Sequence, residues 1–170
     1  TASPANEDPD PLGAVQRLLQ HGEVAKALET LNSLAESTQS SAMGQYMRGV
    51  CFRLMRDFAN AESALRQLVE GNPSYGRAFQ ELGHLYRDAN MPTEALNAYA
   101  TACHLNPGLK ASWAAQRDLI GTGSPDRAAQ INQRLQWLES LPPALLASWD
   151  LLHEGKLHKA EQVCRQFMQQ

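Results

Sequence analysis

Residues 76–109 read GRAFQELGHLYRDANMPTEALNAYATACHLNPGL, and this segment gives the clearest indication of the fold. Moving the sequence along itself by 34 residues aligns positions in this stretch with residues of the same type or size. The aligned pairs are Gly49 with Gly83, Phe52 with Tyr86, Ala61 with Ala95, Leu65 with Tyr99, and Pro73 with Pro107. Gly and Pro account for only 11 and 9 of the 170 residues. Two such matches at one offset therefore indicate an internal repeat.

The composition predicts that each repeat is helical. The chain holds 24 Ala and 23 Leu, which favour helices, against 5 Val and 2 Ile, which favour strands. We therefore expect an all-α fold of ten helices in five antiparallel pairs. Their expected spans are 10–20, 23–36, 40–55, 58–71, 74–89, 92–105, 108–121, 124–139, 142–154 and 157–169.

The residue spacing in 76–109 resembles the tetratricopeptide repeat (TPR), whose pattern is W-x2-L-G-x2-Y, then A-x3-F and a closing P. The residues that carry the resemblance are Phe79, Leu82, Gly83, Tyr86, Ala95, Tyr99, Ala102 and Pro107. A second strong copy spans 42–75, and degenerate copies span 8–41, 110–141 and 142–170. The resemblance implies a TPR-type α-solenoid with a concave face over residues 10–170. Residues 1–9, rich in proline and acids, are expected to be a disordered lead-in.

Small residues recur where the two helices of a repeat are expected to meet, at Gly49, Ala61, Gly83, Ala95 and Ala160. Helix axes approach to about 8–10 Å, and the closest approach needs small side chains. Pro73 and Pro107 follow the expected second helices and are predicted to end them.

The sequence offers little support for catalysis or for metal binding. His153 and His158 do not have the HExxH spacing that places two ligands on one helical face. Cys51, Cys103 and Cys164 form neither a CxxC motif nor a disulfide framework, so a reducing, cytoplasmic location is expected. We expect no cofactor, no metal and no enzymatic activity in this chain, while the activity of a longer parent protein is left open.

Charge and hydropathy narrow the class of partner. The net charge of −3 leaves no excess of cations for phosphates, so nucleic acid is not an expected partner. No apolar run approaches the roughly 20 residues that cross a bilayer, so membrane insertion is not expected either. A protein or peptide partner is therefore the leading prediction.

The TPR resemblance implies which residues would bind that partner. In this family the first helix of each pair lines the concave face, with repeat positions 2, 5, 9 and 12 turned inward. These positions hold Met43, Tyr46, Val50, Arg53, Arg77, Gln80, His84 and Arg87. Arg53 and Arg87 are expected to form a short ladder that accepts a peptide carboxylate. Alternatively, these arginines are solvated or pair with acids such as Asp57 and Asp88.

The ends of the sequence suggest a second function. The chain does not begin with Met, and no Asn-Pro follows the last expected helix, so we expect an N-terminal part of a longer protein. Residues 142–170 also resemble a segment near the N-terminal repeats of bacterial TPR-containing sulfotransferase-like proteins. The alternative function is thus a TPR arm of a larger enzyme, used for substrate presentation or oligomerisation. A third hypothesis is self-association through the apolar segment from Val163 to Met168.

Overall fold

The computed structural model describes residues 11–169, and all regular secondary structure in that range is helical. The helices are α1 Pro11–Gln20, α2 Val24–Ser33, α3 Glu36–Gln39, α4 Ala42–Leu54, α5 Phe58–Gly71, α6 Gly76–Asp88, α7 Pro92–Leu105, α8 Lys110–Ile120, α9 Pro125–Ser140, α10 Pro143–His153 and α11 Leu157–Met168. The predicted all-α fold is confirmed. The lead-in predicted for residues 1–9 lies outside the described range.

The helices pack in consecutive pairs, which are α1 with α2, α4 with α5, α6 with α7, α8 with α9, and α10 with α11. Helices α5 and α7 begin and end at the predicted residues. Each ends two residues before a proline, Pro73 or Pro107, as expected of a residue that cannot continue a helix.

The prediction of one helix over 23–36 is wrong. Helix α2 ends at Ser33 because Leu34 is extended, with φ −72° and ψ 165°. The chain then forms the extra single turn α3. The side-chain amide of Gln39 donates to the carbonyl oxygens of Asn32 at 3.0 Å and Leu34 at 2.8 Å. These two oxygens lie at the C-terminal end of α2, where carbonyl groups lack partners within the helix. Arg48 of α4 in turn donates to Gln39 Oε1 at 2.7 Å.

The chain divides into two compact units, residues 1–72 and 73–170. The first unit contains α1 to α5. Its core is an apolar cluster of Val15, Ala27, Leu31, Met47 and Cys51. The second unit contains α6 to α11, and Tyr99, Leu85 and Leu138 are among its fully buried side chains.

The 34-residue repeat is visible in the backbone of the turns. Gly22, Arg56 and Asn90 all adopt a left-handed conformation, with φ of 76°, 62° and 60°. In each case the next residue donates its amide to the carbonyl five residues earlier, at 2.8–2.9 Å. This bond is the one that closes a Schellman turn at a helix C terminus. The same turn thus recurs at one spacing, with Gly22 and Asn90 of the two residue types that favour this conformation and Arg56 of a type that does not.

Glycine leaves room for close packing where the two helices of each strong repeat meet. A Cβ on Gly83 would lie 2.6 Å from ring carbons of Tyr99, and one on Gly49 would lie 2.6 Å from Leu65. The facing alanines Ala61 and Ala95 are fully buried. The predicted close approach of first and second helices is therefore confirmed in both strong repeats.

Candidate functional site

Four of the predicted binding residues form what we call the α4 face, namely Met43, Tyr46, Val50 and Arg53. Their spacing places them along one side of α4. All four are half-buried. Met43 and Tyr46 pack against the core of the first unit, so part of each side chain is held in place. The result is an apolar strip with a guanidinium in the last helical turn, where a cation also favours the helix dipole.

The other four predicted residues form the α6 face, namely Arg77, Gln80, His84 and Arg87. Arg77 is bound by the second unit's own carboxylates. Its Nη2 lies 2.8 Å from Asp150 Oδ2 and its Nε lies 2.8 Å from Glu154 Oε1. Asp150 lies in α10, and Glu154 is the residue that caps it. Arg77 therefore already acts as a carboxylate-binding side chain, with an intramolecular ligand.

Gln80 and His84 connect α6 to neighbouring helices. Gln80 Oε1 accepts a hydrogen bond from Ser112 Oγ of α8 at 3.0 Å. His84 Nδ1 lies 2.7 Å from the hydroxyl of the buried Tyr99 in α7, with the two rings edge to face. Both residues are half-buried, so each presents part of its surface to solvent while it fixes the helix packing.

Arg87 is the most exposed member of the α6 face, with 48% of its side chain accessible. Its Nη2 lies 3.7 Å from Asp88 Oδ1, one of the two acids considered above as an alternative partner. An exposed ion pair at this distance contributes little. The other such acid, Asp57, caps α5 by accepting from the Asn60 amide at 3.3 Å. Arg53 belongs to the first unit and Arg87 to the second, so their ladder stays a prediction.

Sequence reasoning missed the residues that hold Arg77. Asn106 is buried, donates to Asp150 Oδ1 at 2.9 Å, and accepts from the Gly108 amide at 3.0 Å through its own Oδ1. Asp150 is thus fixed by Asn106 as well as by Arg77. The asparagine before each repeat-closing proline is visible in the sequence. For Asn106, however, the hydrogen-bond partner Asp150 lies 44 residues further along the chain.

Two of the three cysteines are buried in the helix packing. Burial raises the pKa of Cys51 to about 11 and that of Cys103 to about 12, which keeps both as neutral thiols. Between residues 11 and 169, no group of three or more His, Cys, Asp or Glu is arranged to hold a metal ion. None of the helices described is both long enough and apolar enough to cross a membrane.

The segment proposed for self-association is partly exposed. Val163 is half-buried, while Phe167 and Met168 expose 39% and 77% of their surface. Self-association itself stays a prediction.

Comparisons with known proteins agree with the helix-pair architecture. The sequence matches the family model described as Tetratricopeptide repeat over residues 12–76 and 55–109, which together make up more than half of the chain. A solved structure described as "Crystal structure of MamA" is 22% identical, with a TM-score of 0.64, and the match covers 76% of each chain. Another, "MamA 41-end from Desulfovibrio magneticus RS-1", is 17% identical, with a TM-score of 0.59, and the match covers 79% of this chain and 77% of that one.

At 22% and 17% sequence identity, the similarity to these two structures concerns the fold alone. No curated protein matches the sequence significantly. The family match ends at residue 109 and does not reach residues 142–170. The resemblance of that last segment to sulfotransferase-like proteins, and with it the alternative of an enzyme arm, therefore stays a prediction.

Proposed function

The chain belongs to the tetratricopeptide repeat family, and on that premise we propose that it is a protein-interaction scaffold that binds peptide segments on the α4 face and the α6 face. The bound segment carries a carboxylate. It also carries an apolar side chain. Binding requires no catalysis and no cofactor, because the contacts come from side chains on rigid helices.

The ion pairs of Arg77 are the observation that carries this proposal. A guanidinium presents a planar set of donors that matches a carboxylate, so it binds that group more specifically than an ammonium does. Arg77 already binds two carboxylates, at 2.8 Å each. A partner carboxylate at Arg77 would have to compete with Asp150 and Glu154, whereas Arg87 is more open to solvent.

The α4 face offers an apolar contact together with a cation of its own, Arg53. Met43 and Tyr46 are half-buried and anchored on the core, so they offer apolar surface with little loss of side-chain freedom on binding. Tyrosine and methionine are enriched at protein interfaces for this reason among others. Arg53 lies ten residues further along the helix than Met43, about 15 Å away at 1.5 Å per residue. An extended segment of about five residues spans that distance.

Selection from a displayed peptide library against the full chain provides the ligand for a direct test. The expected result is that Arg53→Glu or Arg87→Glu weakens binding of a selected peptide at least about tenfold, the loss of one charge-assisted contact. The matched control is Arg117→Glu, because Arg53, Arg87 and Arg117 all lie in the last turn of a first helix. All three variants therefore lose the same helix-dipole interaction.

Circular dichroism would confirm that each variant keeps its helix content. If no selected peptide loses affinity in Arg53→Glu or Arg87→Glu, or if every peptide that does so loses it equally in Arg117→Glu, the assignment of these two faces is contradicted.

A further inference from the structure

A pocket of about 510 Å³ opens in the second unit between α7, α8 and α9. One face of α7 supplies His104, and Trp113 of α8 lines the same pocket. Helix α9 supplies Arg127, Ile131 and Arg134 from a single helical face, since these residues are four and three positions apart. The volume lies within the range of ligand-binding sites in proteins. The pocket shares no residue with the α4 face or the α6 face.

The lining of this pocket is cationic. It contains two arginines and a histidine but no Asp or Glu. Over the described residues, neither Arg127 nor Arg134 has a carboxylate partner. Asp126, which precedes Arg127 in the first turn of α9, does not line the pocket. Among the described residues, the lining therefore holds no carboxylate that would neutralise its two arginines.

Aromatic rings hold one of these cations in place. The guanidinium of Arg134 lies 5.7 Å from the ring centroid of Trp113 and 5.2 Å from that of Trp137. Trp113 is itself fixed, because its indole N–H donates to the Pro107 carbonyl at 2.9 Å. Stacking of this kind orients a guanidinium without using its N–H donors. Those donors stay available for an anion.

The spacing of the two arginines indicates an extended ligand. Arg127 and Arg134 are seven residues apart, which is about 10 Å along α9 at 1.5 Å per residue. A ligand with two anionic groups matches this spacing. A polyproline-type segment repeats every three residues at about 3.1 Å each, so acids at positions i and i+3 lie about 9 Å apart on one side. Between the arginines, Ile131 offers apolar surface.

We infer that this pocket binds an acidic segment of a partner protein, with one carboxylate on Arg127, a second on Arg134, and an apolar side chain against Ile131 and Trp113. A protein segment is favoured over single-stranded nucleic acid because the chain carries a net charge of −3 and has no general excess of cations. This site is separate from the faces proposed above, and the two stand or fall independently.

The test uses the full chain and a synthetic peptide, acetyl-Gly-Asp-Pro-Phe-Asp-Gly-amide. The matched peptide has Asn in place of both Asp. The chain has three tryptophans, so its ¹⁵N-labelled form gives three indole N–H signals, one of which belongs to Trp113. The expected result is a saturable shift of the Trp113 signal by the acidic peptide. The Asn peptide is expected to bind at least tenfold more weakly.

Two substitutions at equivalent helix positions provide the decisive comparison. Arg127 and Lys159 are both the third residue of a helix in the second unit, and both are exposed. Arg127→Glu is expected to weaken peptide binding at least tenfold, and Arg134→Glu likewise, while Lys159→Glu changes it less than twofold. An acid at this helix position favours the helix dipole, so neither Arg127→Glu nor Lys159→Glu is expected to unfold the chain.

Several results would overturn the inference. These are the absence of a saturable shift, equal binding of the two peptides, or equal effects of Arg127→Glu and Lys159→Glu. Binding of an oligouridylate that is lost in Arg127→Glu, with no binding of the acidic peptide, would reassign the pocket to nucleic acid. Arg53→Glu leaves peptide binding at this pocket unchanged, which separates this result from the test of the proposed function.

Discussion

Replacing Gly83 with alanine tests the packing of α6 on α7. The added Cβ would lie 2.6 Å from Cδ1 and Cε1 of Tyr99 and 2.9 Å from its Cγ. Tyr99 cannot move aside easily, because it is fully buried and its hydroxyl contacts His84 at 2.7 Å. Overpacking of this kind costs about 1–3 kcal/mol. Because rigid ring atoms are involved, we expect a cost near the upper end.

A helix-propensity gain opposes that cost. Alanine in a helix interior is better than glycine by about 1 kcal/mol, so the net loss of stability from Gly83→Ala is about 1–2 kcal/mol. For a chain of this size each kcal/mol lowers the melting temperature by about 2–4 °C. The expected fall is therefore about 2–8 °C, measured by circular dichroism.

Gly71 provides the control, because it lies at the end of α5 and a Cβ there meets nothing within 4 Å. Gly71→Ala should leave the melting temperature unchanged or raise it. If Gly83→Ala melts at or above the wild-type temperature, the close approach of α6 and α7 is not limited by Tyr99, and the reasoning fails.

Three further predictions concern ion pairs and thiols. Arg77→Gln removes the ion pairs to Asp150 and Glu154. Amide hydrogen exchange should therefore become faster in residues 143–168, while exchange in α1 to α5 stays unchanged. Equal exchange in the variant and the wild type would show that these ion pairs do not hold α10. Burial raises the pKa of Cys51 to about 11 and of Cys103 to about 12, above the ordinary 9.0, so the folded chain keeps protons that the unfolded chain releases. The contribution of the two thiols to stability should therefore be constant below about pH 9 and fall above it, by at most about 1.4 kcal/mol per pH unit for each thiol, as followed by urea unfolding. Burial also raises the pKa of Tyr75 to about 12, so the Tyr75→Phe chain is the background in which the thiols are compared. Maleimide at pH 8 should label the half-buried Cys164 at least tenfold faster than either buried thiol, and equal rates would contradict this.

The helices were predictable because their signals are local. Pro73 and Pro107 mark the ends of α5 and α7, and glycine at 49 and 83 marks the helix contacts. The break between α2 and α3 was missed because residues 34 and 35 are Leu and Ala, which do not interrupt a helix by themselves. That break depends on contacts from Gln39, which sequence periodicity does not report.

The candidate site was predictable only in part. The four residues of the α4 face lie on one helix at spacings that share a side of it, while their role in binding stays a prediction. The partners of Arg77 were not predictable, because Asp150 lies 73 residues away in a different helix pair. The pocket on α9 was missed for another reason. Its arginines, seven residues apart, are visible in the sequence, but they lie on a second helix, where the family pattern does not place a binding face.

Photo-cross-linking with a library-selected peptide distinguishes binding on the first helix of a repeat from binding on the second. Benzoylphenylalanine would replace Val50 on the α4 face and, in a separate chain, Val69 on α5; both valines are half-buried and belong to the first unit. The proposed function predicts that the peptide becomes linked to position 50 and not to position 69. Equal linkage at the two positions, or linkage at position 69 alone, would contradict binding on the first helix of the repeat.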